Sequence, residues 1–223
     1  MSYGIILEEN SKGSAFKPGI NDCFLQFIGL TNVSTERYQG TALDLVFEKN
    51  GSFKNLRKFP VNKAQIAKNM EKNPSQFTKL VNGQSVQLTL TEAYDKETSD
   101  FSAFVKHIIT GYVSAEVYEA AIKAWLAGLN GNEPTFEAFI HMAVSVLPPH
   151  YAKIPAKVVL GYKRGSVYAD VPSDMYYMGH FFTTDANPKE LVEPNSKYFK
   201  MEQWEVKQPE VHGAVDNTDV PAF

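Results

Sequence analysis

Phe53, Arg57 and Phe59 fall at odd positions of one short, strand-like stretch, so in an extended chain their side chains point the same way. Two flat apolar rings and a guanidinium on one side of a strand can stack on planar bases and meet a phosphate or a base plane. Lys49, Lys54 and Lys58 border that row as a basic rim. From residue 49 to residue 79 eight cations stand against Glu71 alone, a net charge of +7. A second set lies downstream, with Lys157, Lys163, Arg164 and Tyr168 in a region where residues 153–164 contain no acid. Stacking on an aromatic ring is worth about 1–3 kcal/mol per base and does not read sequence, while lysines and arginines release counterions from phosphates. Each residue type also has a plainer use. Phe53 and Phe59 suit packing beneath a second layer, Tyr168 suits a cross-strand contact, and the lysines suit a solvated rim.

Hairpins would position these groups. Asn50-Gly51 separates Leu43–Glu48 from Phe53–Phe59, and an Asn-Gly pair between strand-like runs predicts a two-residue type I′ turn, which needs positive φ at both central positions. That turn sets the register: Phe47 opposite Lys54, Leu45 opposite Leu56, Leu43 opposite Lys58, Glu48 opposite Phe53, Asp44 opposite Arg57 and Ala42 opposite Phe59. Leu43, Leu45, Phe47 and Leu56 then form a core side, with Phe53, Arg57 and Phe59 on the other. A strand over Cys23–Leu30 precedes the hairpin. In the second set a turn at Arg164-Gly165 places Val158, Leu160, Tyr162, Val167, Ala169 and Val171 on an apolar face, with Lys157, Lys163, Ser166 and Tyr168 opposite. Further strands are expected at Val86–Leu90 and Lys197–Trp204.

Between the hairpins the periodicity becomes helical. Asn62 is a candidate N-cap for a helix that carries Ile66 and Met70 on one face and stops before Pro74. Three more helices are expected at Phe101–Thr110, Ala115–Leu129 and Phe136–Leu147, with Ser114 and Thr135 as N-caps, Gly131 at C′ and Pro148-Pro149 enforcing the stop. Strands before and after a helical block predict an α+β, mainly β chain: one β-domain over residues 1–206 with a helical insertion at about 100–148.

The last stretch differs from the rest. From Glu202 onward five acids stand against Lys207, a charge of −4; the chain carries −3, so the remainder is near +1. Pro209, Gly213 and Pro221 with few apolar residues predict a flexible acidic tail over 207–223. It closes with Asp216, Asp219, Pro221 and Phe223. This tail, beside basic-aromatic hairpins, resembles those of bacterial and phage single-stranded DNA-binding proteins, in which acids precede a final phenylalanine. Here Ala222 separates Pro221 from Phe223. The resemblance implies an OB-like antiparallel β-barrel that binds single-stranded DNA without sequence preference during replication and recombination. It also implies that Asp216, Asp219, Pro221 and Phe223 recruit a replication or recombination partner. The helical block is foreign to a minimal OB domain. A phage structural or assembly protein acting through protein contacts, including contacts between copies of itself, is the alternative, with the exposed aromatics as its interface.

Composition bounds the rest. At 223 residues and 43% hydrophobic the chain can bury a full core. Its start lacks a basic segment followed by a long apolar run, and no stretch has the length of a membrane span, so a soluble protein of the cytoplasm, such as a phage protein in its bacterial host, is expected. The lone Cys23 forms no internal disulfide, in keeping with a reducing compartment. His107, His141, His150, His180 and His212 lack ligand spacing, and no phosphate-binding loop or nucleophile elbow is present. No enzymatic activity, metal or cofactor is therefore expected. Glu92, Asp95, Glu97 and Asp100 read as a solvated loop rather than a cation site.

Overall fold

The computed structural model describes residues 15–36, 38–164, 166, 169–196 and 198–203. The acidic segment 207–223, with Asp216, Asp219, Pro221 and Phe223, lies outside the described residues, as does Tyr168. The chain is α+β, organised on a curled antiparallel half-barrel sheet. Strand β1 (Gly19–Ser34) is its spine: its first half pairs with β6 (Pro155–Lys163) and its second half with β2 (Gln39–Lys49). Strand β3 (Ser52–Lys58) pairs with β2 and ends the sheet, whose main path runs β3-β2-β1-β6-β7. Short strands β7 (Ala169–Asp170), β8 (Phe182–Thr184) and β9 (Phe199–Lys200) complete it by pairing with β6.

The β2–β3 hairpin has the predicted register, from Leu43↔Lys58 to Lys49↔Ser52. Asn50 and Gly51 adopt φ of 51° and 75°, the two positive values that a type I′ turn demands. A β-bulge interrupts β1. Leu25 opposes Phe47 but Phe27 opposes Val46, so Gln26 is an extra residue and the alternation reverses across it. Leu25 and Ile28 therefore both point into the core at 0% and 3% exposure, although three positions apart, and Phe27 is turned to the other face.

One face of the sheet is covered by helices. Helix α2 (Leu90–Ile109) and α4 (Phe136–Ser145) pack on it, with α3 (Ala115–Gly128) alongside α4. Leu43, Leu45 and Phe47 from β2, Val158 and Leu160 from β6, and Phe104 and Ile108 from α2 share the main core. Phe104 stacks on Phe181 with centroids 5.4 Å apart. Three side chains start the helices as expected: Asn62 caps α1 (Lys63–Lys72), Ser114 caps α3 and Thr135 caps α4. A smaller core of Ile66, Phe77 and Ala93 fixes α1 against the start of α2.

Several expectations are corrected. Helix α2 begins at Leu90, not Phe101, because Thr89 and Glu92 form a capping box in which the Thr89 side chain accepts from the Glu92 N–H and the Glu92 carboxylate accepts from the Thr89 N–H. The acids from Glu92 to Asp100 thus lie on a helix rather than in a loop. The strand expected at Val86–Leu90 is the second arm of a small exposed hairpin, β4 (Thr78–Val81) and β5 (Gln84–Gln87), joined by another positive-φ Asn-Gly pair at Asn82 and Gly83. After α3 the helix closes at Leu129, which makes Asn130, φ 50°, the C′ residue in place of Gly131. In the second hairpin, Tyr162 opposes Ala169 and Gly161 opposes Asp170. The connection is two residues longer per pair than an Arg164-Gly165 turn allows, and a shift of two preserves which side chains share a face. Among the described residues, no helix is long and apolar enough to cross a membrane.

Candidate nucleic-acid interface

The face of β1, β2 and β3 turned away from the helices carries the side chains most suited to a ligand. Register and alternation place Phe53, Asn55 and Arg57 of β3 beside Glu48, Val46 and Asp44 of β2, and these beside Phe24, Phe27 and Gly29 of β1. Phe53 is 50% exposed, Phe27 39% and Phe59, just past the end of β3, 45%, although each is a large apolar ring. Phe59 meets Tyr38 edge-on at 4.7 Å, and the Tyr38 hydroxyl donates to the Thr41 carbonyl at 2.7 Å. The Phe27 ring folds back along its own strand, and a Cβ on Gly29 would sit 2.8 Å from its Cζ. Glycine at 29 is what leaves room for that ring. Phe53 to Arg57 spans about 13 Å at ~3.3 Å per residue, and β3 to β1 about 10 Å at ~4.8 Å per strand.

Arg57 is held rather than free. Its Nε and Nη2 donate to the two carboxylate oxygens of Asp44, both at 2.6 Å, and the Thr31 hydroxyl donates to Asp44 Oδ2 at 2.7 Å. The hydrogen bonds to Asp44 raise the Arg57 pKa above its ordinary value. Asp44 is 5% exposed and Arg57 39%, so a buried carboxylate fixes a half-exposed guanidinium among the rings.

The expected basic rim is distributed differently. Lys54 and Lys58 share the core-side parity of Leu56, so they lie on the helix-covered face rather than beside the Phe53 row. Lys58 is enclosed there: its Nζ lies 5.4 Å from the ring centres of Phe104 and Tyr176 and 3.5 Å from Asp170 Oδ2, with 19% of the side chain exposed. Lys49 donates to Asn21 Oδ1 at 2.9 Å. The second hairpin does not repeat the first as an open face. Lys157 is exposed and sits 3.5 Å from the Asp22 carboxylate, but the next residue on that side, Val159, is fully buried, and a Cβ at Gly161 would meet Pro194 at 2.6 Å. Lys163 and Arg164 are exposed at the end of β6, where the Arg164 N–H donates to the Tyr198 carbonyl at 2.9 Å. The cations nearest the open face along the chain are instead in α1, which begins four residues past Phe59 and exposes Lys63, Lys68 and Lys72.

Two rings of the face, Phe24 and Phe27, escape a reading of the sequence by alternation. At a spacing of three they cannot share one side of a regular strand, and only the bulge at Gln26 brings them together. A 440 Å³ cleft at the end of the face, lined by Phe24, Glu48, Lys49, Lys157 and Asp185 among others, mixes both signs of charge. Cys23 borders it as a buried side chain, and burial pushes its thiol up to about 12. Among the described residues, no group of three or more His, Cys, Asp or Glu side chains is placed to hold a metal ion. No protein-family model matches the chain, and no characterised protein or solved structure is significantly similar to it.

Proposed function

We propose that the protein binds single-stranded DNA on the open face of its sheet, without enzymatic activity, and that the curled sheet is an OB-like barrel into which the helices of residues 90–145 are inserted. The observation that carries this reading is the set of three half-exposed rings, Phe27, Phe53 and Phe59, around a fixed Arg57 on a sheet face that no described element covers. A folded chain leaves such rings in water at a cost, and unpaired bases are flat partners that remove it. Lys157 at one end of the face, and Lys63, Lys68 and Lys72, which follow Phe59 closely along the chain and are exposed on α1, are assigned the phosphate contacts, and Lys163 and Arg164 extend that charge beyond β6. Lys54 and Lys58 serve the sheet's other side. The acidic segment from 207 onward, with Asp216, Asp219, Pro221 and Phe223, is assigned the recruitment of replication or recombination proteins on sequence grounds. Anisotropy of labelled oligothymidine tests the proposal against a duplex of equal length. Single-strand binding that exceeds duplex binding and weakens with salt supports it. Absence of single-strand binding at low salt, together with self-association indifferent to nucleic acid, favours an assembly protein that uses the same rings as its interface.

A further inference from the structure

Resting on that reading, we infer that Arg57 makes the face selective at one position: it reads a guanine in an otherwise sequence-tolerant strand, with Asp44 and Thr31 as its positioning residues. Nε and one N–H of Nη2 are spent on Asp44, both at 2.6 Å. By valence the guanidinium keeps a second fork, the paired N–H groups of Nη1 and Nη2 at its far end. Asp44 is buried and receives the Thr31 hydroxyl at 2.7 Å, so the plane of that fork is set before any ligand arrives.

Two ligands suit an end-on arginine fork, a phosphate and a base edge with two adjacent acceptors. The Asp44 carboxylate decides between them. It neutralises the guanidinium and would repel a phosphate brought to the same group, whereas a base edge is uncharged and needs the donors alone. Guanine offers N7 and O6 side by side; adenine pairs an acceptor with a donor there, and thymine has a single acceptor. Unpaired cytosine also has two acceptors, N3 and O2, on its smaller ring. Guanine presents the larger ring to Phe59, the half-exposed ring two residues past Arg57.

The experiment compares full-length protein with short labelled strands of about eight nucleotides, within the length one OB-type face covers. They are all-thymidine, or thymidine with one central guanine, 7-deazaguanine or cytosine. A single guanine is expected to tighten binding about tenfold, toward the low end of the discrimination a bidentate contact provides. The 7-deaza strand, which lacks the N7 acceptor, and the cytosine strand are expected to bind close to the all-thymidine level. Arg57→Lys keeps the charge but not the fork and is expected to bind the guanine and thymidine strands equally. Thr31→Val is expected to shrink the guanine preference by a larger factor than it weakens thymidine binding, whereas a merely structural role would weaken both strands alike. Equal affinity for guanine and thymidine strands, or a guanine preference that survives 7-deaza substitution or Arg57→Lys, overturns the inference while leaving single-strand binding intact. Failure of every strand to bind overturns the functional reading, and this inference falls with it.

Discussion

Replacing Phe53 and Phe59 together by leucine separates stacking from packing. The two rings are 50% and 45% exposed, so of the ~200 Å² a phenylalanine side chain carries, each buries about half. Leucine covers most of that buried area, which limits the cost to less than about 1 kcal/mol per site. At roughly 2–4 °C per kcal/mol for a chain of this size, the expected loss in Tm is a few degrees. Alanine would confuse the matter, because losing about 100 Å² at each site costs up to ~2 kcal/mol apiece. Binding responds differently: losing two base stacks at the lower bound of ~1 kcal/mol each weakens affinity by about 30-fold. Circular dichroism melting and oligothymidine anisotropy on the same preparation give both numbers. A Tm fall of more than about 10 °C with unchanged affinity would show that both rings are packing residues and that the open face is misassigned.

Gly29→Ala places a methyl 2.8 Å from the Phe27 Cζ and drives that ring off the strand; oligothymidine affinity is expected to fall about fivefold, one weak stack, with Tm nearly unchanged. Lys58→Met is expected to leave both affinity and its salt dependence unaltered, because Lys58 is enclosed by Phe104, Tyr176 and Asp170. Changing Lys63, Lys68 and Lys72 together to Gln is expected instead to lower the slope of log K against log salt by about 2, read by anisotropy at several salt concentrations. Glu92 is held down to about 2 by its contact with Lys79, aided by the Thr89 N–H. A folded-state value below the unfolded one means that its support of the α2 N-terminus is complete above about pH 4.5 and is lost as the pH falls toward 2. Hydrogen exchange in the first turn of α2 is expected to accelerate over that window, and Glu92→Gln to remove the dependence.

What could be read from the sequence followed from local chemistry. Asn50-Gly51 fixes a turn type, the turn fixes a register, and the register places Phe53 and Arg57 on one face and Leu45 and Leu56 on the other. Caps behave likewise: Asn62, Ser114 and Thr135 begin helices because a short polar side chain accepts from the first free N–H groups. The early start of α2 was equally present in Thr89-x-x-Glu92, but the polar residues that follow it lack a broad apolar stripe and resemble a loop. The bulge at Gln26 was not legible, since a continuous apolar run hides which residue is extra. The enclosure of Lys58 was hidden for a related reason. A lysine on the core side of an edge strand looks like a rim lysine until Asp170, Phe104 and Tyr176, far away in sequence, close around it.

The open face itself is tested most directly by photocrosslinking the full-length protein to oligothymidine bearing 4-thiothymidine and locating the adducts by mass spectrometry. Adducts concentrated at Phe27, Phe53 and Phe59, and competed away by unlabelled single strands but not by duplex, are the predicted result. Adducts confined to the helices α3 and α4 on the opposite side of the sheet would place the strand elsewhere and contradict the account.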